Sequence, residues 1–414
     1  LRFPEFTGEW KEYKVSDILE FFPTNSLSWE QLEFETDNIH NLHYGLIHKG
    51  LPTQIELDKC TLPNIKDEFI PNKYTICKDG DVAFADASED TNDVAKAIEF
   101  LNCNNKCIVC GLHTIHGRDK KHLTIKGFKG YAFSSIPFRN QVRRLAQGTK
   151  IYSINSKNFD ELYIGIPSKE EQAKIAHLLL LIDERIETQN KIIEKLESLI
   201  KGLDNLLFCN RKSKPALRFP EYLESWRKST LKEFTSRVTR KNKDNETQRA
   251  LTIAAQYGLV DQISFFNKQV ASNDMSNYYL LYNGEFAYNK SYSKDYPWGA
   301  VKRLDSHEKG ALSTLYICFK PLDNVNSDYL VHYFESNKWY QAISEIAGEG
   351  ARNHGLLNIS IDAYFNTMHY IPSYEEQNRI ASFLNILCMR LENEKATLCV
   401  FEKQKLYFLR QMFI

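Results

Sequence analysis

Ile166–Leu207 restricts what this chain can fold into more than any other stretch. Its apolar residues fall at Ile175, Leu179, Ile182, Ile186, Ile193, Leu196, Ile200, Leu203 and Leu207, in steps of four and three, with Gln189 in the polar slot. A seam of this period, held for more than four heptads, specifies a long helix that buries one stripe against another helix. Pro167 precedes it, and Ser168 with Glu171 three residues later reads as a capping box. The plain alternative is a long core helix of one globular domain. A second copy later in the chain displaces that reading.

The copy is announced by three anchors in the same order. LRFPEFTGEW at 1–10 recurs as LRFPEYLESW at 217–226. Gly80-Asp81-Val82-Ala83-Phe84 recurs as Gly284-Glu285-Phe286-Ala287-Tyr288. Ile166-Pro167-Ser168 with Glu170-Glu171-Gln172 recurs as Ile371-Pro372-Ser373 with Glu375-Glu376-Gln377. The chain is a tandem duplication with a period too long for a solenoid. Shifted by 205, the seam becomes Ile380, Leu384, Leu387, Leu391, Glu394, Leu398, Phe401, Lys405, Phe408 and Met412, so Gln189 maps onto Glu394 and Ile200 onto Lys405.

The expected fold class is therefore α+β: two globular mixed α/β heads and two long helices forming an antiparallel coiled coil, with a pseudo-twofold internal repeat. Each helix of roughly 40 residues would be about 60 Å long. Such a pair would bring Gln189 and Glu394 together at its centre, a polar layer that fixes register; the alternative is that either reaches solvent. In the heads, strands are expected at Asp81–Phe84, Ile108–Cys110, Gly130–Phe133, Phe286–Tyr288 and Leu315–Phe319, and helices at 91–101 and 328–346.

Lys and Arg (53) balance Asp and Glu (53), so net charge names no partner; its distribution does. Residues 118–150 hold Arg118, Lys120, Lys121, Lys126, Lys129, Arg139, Arg143, Arg144 and Lys150 against one acid, Asp119. A basic face of this kind suits a phosphate backbone, and the competing reading is a solvated surface compensated by acids elsewhere. In the second head, Lys290, Ser291, Tyr292, Lys294, Tyr296 and Trp298 interleave basic, polar and aromatic groups, and Arg352-Asn353-His354 follows Gly348 and Gly350. Arg and Asn suit bidentate reading of guanine and adenine edges. Cys103, Cys107, Cys110, His113 and His116 invite a zinc reading, but the spacing is not that of a standard finger and Cys107–Cys110 lies in an apolar run, so core packing is preferred and no metal is expected. The nine cysteines are expected as reduced thiols in a cytoplasm. No apolar run is long enough for a membrane span. The sequence starts at Leu1, and no signal-peptide pattern is seen. Nucleotide-loop, metalloprotease, hydrolase-elbow, dinucleotide and amino-methyltransferase motifs are missing, so no catalytic residue is assigned. Asp86, Glu89 and Asp90 could look nuclease-like, but they read as turn caps or as acceptors for base amino groups.

The LRFPE leader, the IPSxEEQ start of a long helix and their duplication resemble the specificity subunit of type I restriction–modification systems. Residues 145–150 and 348–355 also look typical of that family's segments before the helices. The resemblance implies a non-catalytic, cytoplasmic DNA-binding subunit: target-recognition domains at 1–167 and 213–372, a central conserved helical region at 168–212 and a distal one at 373–414. Each head would read one half of a bipartite double-stranded site, and the helices would set the spacer and dock two methyltransferase subunits. At ~34–36 Å per duplex turn, a 60 Å ruler would separate half-sites by one to two turns. Restriction/translocase subunits complete the implied complex, with S-adenosylmethionine, ATP and Mg²⁺ on the partner subunits and adenine-N6 methylation and ATP-dependent cleavage as their chemistry. The competing readings are a coiled-coil protein-binding scaffold and the recognition part of a single-chain DNA methyltransferase.

Overall fold

Lys169–Leu207 and Tyr374–Gln411 each form one continuous helix in the computed structural model. The model describes all residues except 35, 37, 104–105, 211–212, 268–273 and 348–354. The chain divides into two units, Leu1–Asn190 with Ala396–Ile414, and Lys191–Lys395, so each long helix contributes its two halves to different units. The helices run antiparallel. In the first unit Lys405 Nζ lies 2.6 Å from Asp183 Oδ1, and the Arg185 guanidinium sits over the Phe401 ring. In the second, Lys395 Nζ lies 3.0 Å from Glu197. Residue numbers rise along one helix as they fall along the other.

Each head completes its core with the start of one helix and the end of the other. In the first unit Ile175, Ala176 and Leu179 share a cluster with Leu409, Met412 and Phe413, together with Phe84, Phe128, Tyr131 and Phe159. In the second, Leu207 and Phe208 share one with Ile380, Ala381 and Leu384, together with Phe286, Tyr329 and Trp339. Burying these side chains on a head as well as on the partner helix is what makes the long helices stable, since most helix stability comes from packing of the apolar face.

The seam positions follow the heptad. Ile175, Leu179, Ile182, Gln189, Ile193 and Leu207 are buried, and Ile186, Leu196, Ile200 and Leu203 are half-buried. In the second helix Ile380, Leu384 and Met412 are buried, while Leu387, Leu391, Glu394, Leu398, Phe401, Lys405 and Phe408 are half-buried. Lys405 tolerates its place because Asp183 faces it; Asp183 also accepts from the Tyr131 hydroxyl at 2.9 Å. Glu394 accepts from Arg390 one turn earlier in its own helix, at 2.8 Å.

The repeated anchors interlock. Arg2 donates from Nε and Nη2 to the two carboxylate oxygens of Glu171, both at 2.7 Å, and Trp10 Nε1 donates to the same group. Arg218 and Trp226 treat Glu376 identically. Ser168 and Ser373 cap the helices by accepting from the amides of Glu171 and Glu376. The expected reciprocal half of the box is replaced: the Glu side chain faces the Arg–Trp leader, where a bidentate charged pair binds more strongly than a backbone amide. Gln172 and Gln377 each donate to the preceding Pro carbonyl and accept from a head amide, Ile125 or Asn326. The strand after each leader, Lys11–Lys14 or Arg227–Thr230, pairs antiparallel with the strand before each helix, Tyr163–Ile166 or Met368–Ile371.

The first head holds a five-stranded sheet in the order Leu19–Phe22, Thr114–Asp119, Val82–Ala85, Ala97–Asn102, Gln54–Glu56, with the last pair parallel. A four-stranded sheet orders Cys107–Cys110, Ile39–Leu42, Asn64–Ile65 and Leu32–Glu33. The second head holds an antiparallel sheet, Thr235–Arg237, Ile317–Pro321, Phe286–Asn289, Ala300–Arg303, a hairpin of Leu251–Ala254 with Gly258–Asp261, and a pair of Tyr279–Tyr282 with Lys309–Leu312. Two sequence expectations are corrected. Gly130–Phe133 lies in the helix Phe128–Ser134, not a strand; it is buried on all sides, so its apolar run carries no period to distinguish the two. The span 91–101 ends in the strand Ala97–Asn102, an interior strand of the five-stranded sheet whose Glu99 is buried against Lys129.

Candidate nucleic-acid interface

The basic run 118–150 is divided between interior and surface. Arg118 lies on the strand Thr114–Asp119 and forks onto Asp81, Nε to Oδ1 at 2.8 Å and Nη2 to Oδ2 at 2.7 Å, with its guanidinium over the Phe22 ring. Lys126 pairs with Asp79 at 3.0 Å, Lys129 is buried against Glu99 at 3.2 Å, and Lys120 donates to the Ser16 carbonyl. Arg139 is 7% exposed and donates to the Asn92 carbonyl; burial, then neighbouring Arg143, pushes it down to about 10. Arg118 and Arg139 thus serve as braces within the head. Their geometry is already used, and Arg139 would have to leave the core to meet a ligand.

Arg143, Arg144 and Lys150 remain exposed. The first two occupy the last turn of the helix Ile136–Leu145, capped by Ser135 through the Phe138 amide. Phe138 and Val142 point into the core, so a period of 3.6 turns Arg143 and Arg144 outward, where only Arg143 has a polar contact within the helix, to Asn140 Oδ1 at 3.3 Å. Two cations at a helix C-terminus also complement its dipole. Asp90 caps a turn, its Oδ1 accepting from the Asn92 amide, whereas Asp86 meets the distant His113 Nδ1 at 3.0 Å.

In the second head Lys294 is exposed and Lys290 half-buried. Ser291 follows an Asx turn, its amide donating to Asn289 Oδ1. Trp298 is half-buried: its ring lies against the core cluster and its carbonyl accepts from the Tyr288 hydroxyl at 2.8 Å. Arg352, Asn353 and His354 lie outside the described residues. The chain just after them is anchored beside the basic loop, since the Tyr292 amide donates to Gly355 O and the Leu357 amide to Lys290 O.

A second group of cations escaped the sequence reading. Arg237 ends the edge strand Thr235–Arg237, and Arg240 and Lys241 follow it. Arg240 stacks on Tyr282 at 4.1 Å and pairs with Glu285, while Lys241 sits over Tyr279 at 4.4 Å. Their signal was the spacing R-x-x-R-K-x-K over 237–243, too short to stand out in a neutral chain. The repeated Gly-acid turn also has a structural explanation. Gly80 and Gly284 adopt φ of 81° and 83°, and Asp81 and Glu285 accept from the amide three residues earlier and from an arginine.

Comparison with known proteins agrees with this arrangement. Residues 7–198 match the family model described as "Type I restriction modification DNA specificity domain". The "Type I restriction enzyme MjaVIII specificity subunit" of Methanocaldococcus jannaschii is 33% identical over 108 residues, a quarter of this chain and a quarter of that protein. Among solved structures, the fold is similar to that of a type I restriction–modification system S subunit from M. genitalium (TM-score 0.53, 16% identity, 98% of this chain and 96% of that one). It is also similar to a chain from a study of "complex assembly and conformational transition of the type I R-M system" (TM-score 0.56, 13% identity, 98% and 97%).

Proposed function

We propose that this chain, whose residues 7–198 match the type I restriction–modification DNA specificity family, reads a two-part DNA site for a multisubunit enzyme. Each head addresses one half-site, and the helix pair holds the two at a set separation. Supporting this reading is the way Arg2–Glu171 and Arg218–Glu376 clamp each head to the start of a long helix through the same contacts, while the head interiors differ. One mount with two different surfaces fits two different half-sites.

In this reading the surface and half-buried cations hold phosphates and fix register, and loop side chains read base edges. Arg143, Arg144, Lys150, Lys290, Lys294, Arg240 and Lys241 are the backbone contacts; Arg352, Asn353 and His354 are candidates for base reading. The chain itself is non-catalytic. Two methyltransferase subunits dock on the helices, restriction/translocase subunits join them, and S-adenosylmethionine, ATP and Mg²⁺ act there. No helix among the described residues is long and apolar enough to cross a membrane.

The test is binding of the complex with its methyltransferase to duplex DNA across a salt series. Replacing Arg144 and Lys150 together by Ala should weaken binding uniformly across sequences and reduce the slope of log K against log salt by ~0.9 per lost phosphate contact. An unchanged slope and affinity would remove these residues from the interface.

A further inference from the structure

The fold assembles a thiol–imidazole cluster that the sequence spacing concealed. Of the five Cys and His residues at 103–116, Cys110 and His116 come together, and the third member is the distant Cys77. The ligand atoms of Cys77, Cys110 and His116 all lie within 4.8 Å of one another. Cys77 Sγ is 3.5 Å from Cys110 Sγ. All three side chains are buried, His116 at 0% exposure. Cys77 is fixed by its amide, which donates to the Ile108 carbonyl, so the segment holding it runs beside the strand Cys107–Cys110.

The histidine is oriented for coordination. Its Nε2 lies 2.7 Å from Asp81 Oδ2, and a carboxylate there takes an N–H. That tautomer leaves a lone pair on Nδ1, which is buried with no hydrogen-bond partner. A carboxylate holding the far nitrogen of a metal-bound imidazole is the usual outer contact of zinc sites. Such an unsatisfied nitrogen is costly in a core unless something accepts the pair.

We propose that Cys77, Cys110 and His116 Nδ1 bind one zinc ion, with Asp81 as the positioning residue. Two sulfurs at ~2.3 Å from a tetrahedral ion stand about 3.8 Å apart, close to the 3.5 Å seen here. Two thiolates neutralise a divalent ion, so the filled site carries no net charge into the core. Thiolate plus imidazole selects zinc over magnesium or calcium. A cleft of about 530 Å³, lined in part by Cys77, Lys78 and Cys103, opens beside the first ligand. The remaining members of the sequence run have other roles: His113 meets Asp86, and burial, then Asp79, pushes the Cys103 thiol up to about 12. In the second head the matching acid, Glu285, faces Arg240 in place of a histidine, so the site belongs to the first head.

The experiment is metal analysis of the full chain purified without chelator, with cobalt substitution of the same protein. The expected result is one zinc per chain, and with cobalt the visible absorption of a tetrahedral, thiolate-ligated ion. Cys110→Ser and His116→Ala should lose the metal, Cys399→Ser should keep it, and Asp81→Asn should weaken zinc affinity about 10–100-fold. Because the variants remove core groups, cobalt spectra of the unaltered chain decide independently of their folding. Substoichiometric metal with no cobalt band, a Cys77–Cys110 disulfide in its place, or full metal in the folded Cys110→Ser variant would overturn the site.

Discussion

At the scale of residues, the account rests on a few buried charged groups. Glu376 is 1% exposed at its side chain and Arg218 14%, and Glu376 also accepts from Trp226. Removing one partner of a buried pair leaves the other uncompensated, so Glu376→Ala should cost about 3–5 kcal/mol. The thermal midpoint of the second unit should fall sharply, and a midpoint within a degree of the parent would show that the clamp is not structural. Asp204 behaves oppositely. It is buried near the end of the first long helix, with Oδ1 lacking a hydrogen-bond partner, and burial, then Glu335, pushes it up to about 7. Unfolded, it titrates near ~3.9. The folded state therefore holds this proton more tightly, and stability from this group is full below about pH 4 and lost as pH rises to about 7. Asp204→Asn should relieve up to ~4 kcal/mol at pH 8 and little at pH 4. Thermal midpoints of variant and parent should thus diverge with rising pH, the variant higher; a variant that melts lower at pH 8 contradicts this.

Among elements, the helix seam carries the energy and the ion pairs beside it carry little. Leu384 is fully buried between the second helix and its head core, so Leu384→Ala should cost about 2–5 kcal/mol. Lys395→Ala breaks a pair whose side chains are 43% and 51% exposed, and should change stability by less than ~1 kcal/mol. Urea unfolding of both variants checks the contrast; equal losses would mean the pairing is electrostatic. This is also the scale at which the sequence was most legible. A heptad held over forty residues survives any tertiary context, and its copy with the leader and IPSxEEQ anchors exposed both helices, their antiparallel order and the duplicated heads. The head interiors were harder to read. Phe128–Ser134 is buried on every side, so nothing in its pattern separated helix from strand. Arg118 and Arg139 were read as surface cations because their partners, Asp81 and the Asn92 carbonyl, lie 37 and 47 residues away. Cys77 joins Cys110 from 33 residues away, which no spacing rule covers.

For the whole molecule, the duplicated mount predicts modularity. Each head takes the start of one helix and the end of the other into its core, so a head exchanged together with those helix ends keeps its packing. On the proposed function, sequence reading belongs to the heads and spacing to the helices. The most direct test is methylation mapping of DNA from cells that carry this chain with its methyltransferase, for the parent and for a chimaera whose second head comes from a relative of different specificity. The parent should mark one split motif with a fixed gap. The chimaera should change one half of that motif and leave the other half and the gap as they were. A continuous motif in the parent, or a change in both halves of the chimaera's site, would contradict the two-headed reading.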